Sequence, residues 1–130
     1  MHVAERTVVF ALSVIKAYRN LEDDPVGRII GKQLLRCGTS IGANVHGAQA
    51  AQSRADFVSK ISIAHKEARE TIYWSRARMA AEVCTSSLLA PLLDEATQLK
   101  KIFSASLLTA KQNSRPSRPE TKRPLFTLHS

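Results

Sequence analysis

The sequence predicts an all-α protein, an antiparallel up-and-down four-helix bundle followed by a disordered basic C-terminal tail. Three observations predict it. Apolar residues recur at three- and four-residue steps through four successive segments, the spacing of one helical face. No segment alternates polar and apolar residues with period two, so no strand is expected. Turn residues are scarce in the body of the chain: five glycines and five prolines occur in 130 residues, and three of those prolines lie in the last twenty. No internal repeat is present.

The first helix is expected over about Ala4 to Arg19, with Val8, Ala11, Leu12, Ile15 and Tyr18 as its apolar face. Asn20–Asp24 breaks it. Asp24 followed by Pro25 is a start signal, a carboxylate cap and then proline where its missing N–H costs nothing. The second helix carries Ile29, Ile30, Gln33, Leu34, Cys37, Ile41, Asn44, Val45 and Ala48 up to about Gln49. Gly38, Gly42 and Gly47 interrupt it, and each weakens a helix by roughly 1 kcal/mol relative to alanine, so a kink or a close helix–helix contact is expected.

Ser53 is the N-cap of the third helix, with Asp56 in the first turn favouring the positive end of the helix dipole. Its face is Phe57, Ile61, Ala64, Ala68, Ile72, Ser75 and Met79, and it is expected to last to about Val83. Ser86 or Ser87 caps the fourth helix, where Pro91 is tolerable only in the first turn. The stripe there is Leu89, Leu92, Leu93, Ala96, Leu99, Phe103, Ser106, Leu107 and Ala110. Four amphipathic helices with short connections make one bundle domain over residues 1–110.

From Lys111 the periodicity stops. Residues 111–130 hold Lys111, Arg115, Arg118, Lys122 and Arg123 against Glu120 alone, and Pro116, Pro119 and Pro124 forbid a helix. Five cations against one anion give a net +4, half of the chain's formal +8. Leu125, Phe126 and Leu128 at the end of this tail are unusual for pure disorder and suit docking onto a surface.

Composition narrows the classes of function. Nineteen Lys and Arg against eleven Asp and Glu make a surface that attracts polyanions, nucleic acid first and anionic membrane second. Cys37 and Cys84 lack CxxC spacing and read as reduced thiols of a cytosolic protein. The apolar run Val8–Ile15 is too short and wrongly flanked for a signal peptide, with Glu5 before it and Lys16 after it. No stretch reaches the roughly 18 apolar residues of a membrane span. The expectation is a soluble, cytoplasmic protein.

One stretch is more specific than composition. The residues Leu35-Arg36-Cys37-Gly38-Thr39-Ser40-Ile41-Gly42-Ala43-Asn44-Val45, Ala48-Gln49, Ala51-Gln52-Ser53-Arg54, Asp56-Phe57, Ser62-Ile63-Ala64 and Lys66-Glu67-Ala68-Arg69-Glu70-Thr71-Ile72-Tyr73-Trp74 resemble the four-helix bundle proteins of the 23S rRNA intervening-sequence family. The resemblance covers roughly residues 5–110 and is strongest over 34–74. It implies an up-and-down bundle that assembles into a homo-oligomer, a pentameric ring in known members. A related group of basic, nucleic-acid-binding pentamers serves retroelement reverse transcriptases. The biochemical activity of the main family is not established, so the resemblance transfers no catalytic residue. The chain departs from the pattern after Asn44-Val45, where His46-Gly47 stands in place of the usual Ala-Glu, and in its basic tail.

Lys66, Arg69, Tyr73 and Arg76 project from one face of the third helix. Cations for phosphates with a ring between them for stacking suit nucleic acid. The plainer reading of the same stripe is a subunit interface or a solvated face, partly neutralised by Glu70 with its i,i+4 partner Lys66. The tail cations Lys111, Arg115, Arg118, Lys122 and Arg123 are a second nucleic-acid candidate, able to neutralise phosphates without a pocket; the alternative is a solubilising extension. Asn44 and Gln49, among small residues, are expected to tie helices together, since buried amides need partners. Arg36 with Glu67 or Glu70 is a candidate inter-helix or inter-subunit ion pair. Trp74 and Tyr73 read as packing anchors, suited to a subunit interface.

Chemistry beyond binding finds no support. Glu67 and Glu70 would need Glu-x-x-His partners to form a bundle di-iron centre, and none occurs. His2, His46, His65 and His129 share no ligand spacing with each other or with the cysteines. G-x-S-x-G and phosphate-loop motifs are missing. The sequence therefore reads as a non-enzymatic homo-oligomer without cofactor or metal, binding RNA or DNA by sequence-independent electrostatics and not entering a membrane. The alternative is an oligomeric protein scaffold whose tail end docks in a groove.

Overall fold

The computed structural model describes residues 2–21, 24–81 and 86–113. Four helices, α1 (Val3–Arg19), α2 (Pro25–Gln49), α3 (Arg54–Ala81) and α4 (Ser86–Asn113), follow one another in the expected order. Each packs antiparallel on the next, and α4 closes against α1. Cys84, Val83 and residues 114–130 lie outside the described residues, including Arg115, Arg118, Lys122 and Arg123.

The helix starts are encoded locally. Asp24 is extended, and its carboxylate accepts from Gly27 N–H at 2.6 Å, with Pro25 opening α2. The Ser53 hydroxyl accepts from Asp56 N–H at 3.0 Å, while Asp56 reaches back to Gln52 N–H at 3.4 Å. That reciprocal pair is close to a capping box and fixes the start of α3.

The glycines of α2 serve close contact, because the helix runs unbroken for 25 residues. A methyl group on Gly38 would come within 2.8 Å of Val14 Cγ2, and one on Gly42 within 3.0 Å of Thr7 Oγ1. The two helices approach along a path that only hydrogen atoms leave open.

The core joins all four helices through Phe10, Val14, Leu34, Ile41, Val45, Phe57, Ile61, Leu89, Leu99 and Phe103, each 2% exposed or less. On α1 the buried face is Val3, Ala4, Thr7, Phe10, Val14 and Ala17. This corrects the expected stripe: Val8 and Leu12 are 49% and 55% exposed, and Ala11, Ile15 and Tyr18 are half-buried. Ile29 of α2 likewise points outward. The helix is apolar on two sides, and on the buried one Val14 and Thr7 meet Gly38 and Gly42 of α2.

Two boundaries also shift. α4 continues through Asn113, so Lys111 stands exposed in a helical turn and not in the tail. Arg54 Nη1 donates to the Asn113 carbonyl at 2.6 Å, which ties that last turn to the start of α3. Pro91 lies inside α4, beyond its first turn. Pro91 is exposed, on the solvent side of the helix.

Candidate nucleic-acid interface

The long α3 sorts its side chains into three strips. One faces the core, one meets α2, and one faces solvent. Lys66, Arg69, Tyr73 and Arg76 all lie on the solvent strip and are exposed, Tyr73 by 63%. Their steps of three and four residues keep them aligned along the helix. Lys66, Arg69, Glu70 and Tyr73 line a shallow hollow of about 250 Å³. The Tyr73 ring stands edge-on to Trp74, with centroids 5.0 Å apart and planes at 80°. Trp74 is half-buried and packs against the core.

On the α2 side, Arg36 gathers the two carboxylates of α3. Its Nη1 donates to Glu67 Oε2 at 3.2 Å and its Nη2 to Glu70 Oε2 at 2.7 Å, while Gln33 Oε1 accepts from the same guanidinium at 3.2 Å. The hydrogen bond to Glu70 raises the Arg36 pKa against the opposing effect of burial, and the charge of Glu67 adds to it. Glu70 thus pairs with Arg36 of α2 and forms no ion pair with Lys66, although both line the hollow. Among the described residues Lys66, Arg69 and Arg76 stand in no ion pair. The carboxylates are occupied and the cations of the outer strip are left for solvent or a ligand.

The two amides do something other than join helices. Asn44 Nδ2 donates to the Ser40 carbonyl at 2.9 Å within its own helix. Gln49 is exposed at the end of α2. Gly47 lies against the Lys60 stem, whose Cδ would stand 2.7 Å from a methyl group placed on the glycine.

Several buried polar groups escape a reading of the sequence. The Arg78 side chain is 2% exposed, with Nη2 3.6 Å from Asp24 Oδ2, and the missing side chain of Gly27 makes room for its guanidinium. A signal was present: continuing the α3 core steps 57, 61, 64, 68 and 75 by three more residues lands on 78. The Thr71 hydroxyl donates to the Glu67 carbonyl at 2.8 Å and stands 3.2 Å from Cys37 Sγ. Burial pushes the Cys37 thiol up, against the smaller effects of Thr71 and Arg36. Toward α4, His65 Nε2 and Ser104 Oγ are 3.0 Å apart. Burial lowers the His65 pKa, and the charges of Arg69 and Lys100 lower it further.

Among the described residues no three His, Cys, Asp or Glu side chains come together as a metal site would require. No helix among them is long and apolar enough to cross a membrane.

Residues 1–105 match the family described as 23S rRNA-intervening sequence protein. A crystal structure of a protein of unknown function from the S23 ribosomal protein family of Bacteroides thetaiotaomicron is similar to the chain, with a TM-score of 0.75 and 36% sequence identity. The similarity covers 81% of this chain and 97% of that one. No curated protein matches the chain.

Proposed function

Because the chain belongs to the 23S rRNA-intervening sequence protein family, we propose that it is a non-catalytic, cytoplasmic homo-oligomer that binds RNA or DNA through phosphate neutralisation. The observation that carries this reading is the outer strip of α3. Three exposed cations flank one exposed ring, and the neighbouring glutamates are held by Arg36. Such a strip meets phosphates without reading bases, so affinity falls steeply as salt rises. Tyr73 offers a stacking surface that accepts any base. The family description and the S23 ribosomal assignment of the Bacteroides protein both point toward ribosomal RNA, and neither states what is bound. The basic residues of 114–130 add to the positive charge of the chain.

Self-association is supported by the outer face of α1, where Val8, Val9 and Leu12 are each about half exposed. A cluster of this kind on a small domain suits a subunit contact. The resemblance to the family supports a pentamer as the assembly. The same face supports a second reading, a ring that scaffolds another protein without nucleic acid.

Fluorescence anisotropy of labelled RNA and duplex DNA, at low and moderate salt, decides between them. Binding that weakens with salt, and that Arg69→Glu with Arg76→Glu abolishes in a still-folded oligomer, is the expected result. A comparison with a chain ending at Asn113, which keeps α4 whole, measures the contribution of the tail. No binding of either polymer at low salt overturns the reading and leaves the scaffold.

A further inference from the structure

The seam between α3 and α4 brings cations of α4 toward two cations of the α3 strip. The two helices run antiparallel, with Arg54 beside Asn113 and His65 beside Ser104. One turn beyond His65 on α3 stands Arg69, and one turn before Ser104 on α4 stands Lys100. Each step is about 6 Å along its helix, so the two cations reach the same level on opposite sides of the seam. Both charges are felt by the imidazole between the helices, whose pKa they lower in addition to the effect of burial. Lys66 on α3 and Lys101 on α4 add further positive charge nearby, both exposed.

Two carboxylates of these helices are already paired with other cations. Glu70, which lines the hollow with Lys66 and Arg69, is bonded to Arg36 at 2.7 Å, and Glu95 of α4 is bonded to Arg6 at 2.6 Å. Asp94 lies six residues before Lys100, about 9 Å along the helix. Among the described residues neither Arg69 nor Lys100 has an ion-pair partner. Like charges held on two packed helices repel, and the species that relieves this is an anion that bridges them.

We propose that Arg69 and Lys100, with the His65–Ser104 pair beneath them, form a seat for a single phosphate group. The guanidinium fork and the ammonium neutralise its charge. The Ser104 hydroxyl or the imidazole then supplies a hydrogen bond. The assignment of that phosphate to a nucleic-acid backbone rests on the function proposed above; a free phosphate is the other source. By linkage, an anion in this seat favours the cationic imidazole, so its binding raises the His65 pKa and strengthens as pH falls.

The test uses the full chain. The His65 ring resonance, assigned with His65→Gln, is followed through pH by NMR in inorganic phosphate and in chloride at equal ionic strength. Phosphate is expected to raise the His65 pKa above its value in chloride. The rise should vanish in Lys100→Gln and persist in the control Lys101→Gln. Equal values in the two salts, or a rise that Lys100→Gln leaves intact, overturn the seat. In parallel, Lys100→Gln should weaken labelled RNA and reduce the salt slope of binding by about 1. If phosphate raises the pKa while the native chain binds no RNA, the seat stands as one for free phosphate and the nucleic-acid function falls. If RNA binds and phosphate leaves His65 unmoved, the seat falls and the function stands.

Discussion

At the scale of single residues, the buried polar groups set behaviour that exposure of the surface does not. His65 carries a pKa below its usual 6.5, first from burial and then from Arg69 and Lys100. The unfolded chain therefore binds a proton at a higher pH than the folded one. The stability contributed by the neutral ring is present above 6.5 and is lost as pH falls through the lowered folded value. Thermal unfolding in the absence of phosphate should show that loss, and His65→Gln should flatten this part of the profile; an unchanged profile would show that another group governs it. Cys37 is fully buried and its thiol is pushed up, so little thiolate forms near neutral pH. In a Cys84→Ser background, iodoacetamide should label Cys37 only in denaturant, and rapid labelling of the folded protein would contradict the burial. Arg36 holds two carboxylates, of which Glu67 has only 8% of its side chain exposed. Arg36→Ala strands that buried acid and should cost about 2 kcal/mol in denaturant unfolding, reduced because the guanidinium itself is half in water. Adding Glu67→Gln should recover part of the loss.

At the scale of the helices, the glycines of α2 make opposite predictions. Each gains about 1 kcal/mol of helix propensity on replacement by alanine. At Gly38 the new methyl group meets Val14, a β-branched side chain with Cγ2 at 2.8 Å and Cγ1 at 3.0 Å and little freedom to turn away. Overpacking of this kind costs about 1–3 kcal/mol, so Gly38→Ala should be net destabilising. At Gly47 the methyl group meets only the flexible Lys60 stem, and Gly47→Ala should stabilise by several tenths of a kcal/mol to about 1. Paired urea melts check both signs. These helices also show which features the sequence exposes. Starts are legible because Asp24-Pro25 and Ser53-x-x-Asp56 act through neighbouring atoms alone. The core face of α1 is not, because Val8, Leu12 and Ile15 repeat with the same period as Phe10, Val14 and Ala17. Only the glycine groove of α2 decides between them, and that contact lies outside any local window. Arg78 is hidden for a related reason: its burial depends on Asp24 and Gly27, more than fifty residues earlier. The α3 cations, by contrast, follow directly from helical spacing, while the turn of Glu70 toward Arg36 requires knowing which helix lies alongside.

At the scale of the whole molecule, the α3 strip and the apolar cluster of Val8, Val9 and Leu12 lie on different helices. The exposed cations of the described body include those on α3 and α4, whereas Val8, Val9 and Leu12 lie on α1. Across consecutive helices this places a basic face away from the apolar one, so an assembly that buries α1 leaves α3 open to polyanions. Binding and assembly should therefore be separable by mutation. Leu12 is 55% exposed and outside the core cluster, so Leu12→Glu removes little from the folding of one subunit. Buried in a subunit contact, the same carboxylate loses its hydration without gaining a partner, a penalty of several kcal/mol repeated at every equivalent interface. Light scattering should find the native chain as an oligomer and Leu12→Glu as a smaller species with unchanged helical circular dichroism. Each subunit of that smaller species keeps its α3 strip, so it should still bind RNA, with the lower affinity and shallower salt dependence of fewer phosphate contacts. A native chain that scatters as a monomer would remove the assembly. An oligomer indifferent to Leu12→Glu would move the subunit contact to another face, with the outward Val26 and Ile29 of α2 next to be substituted.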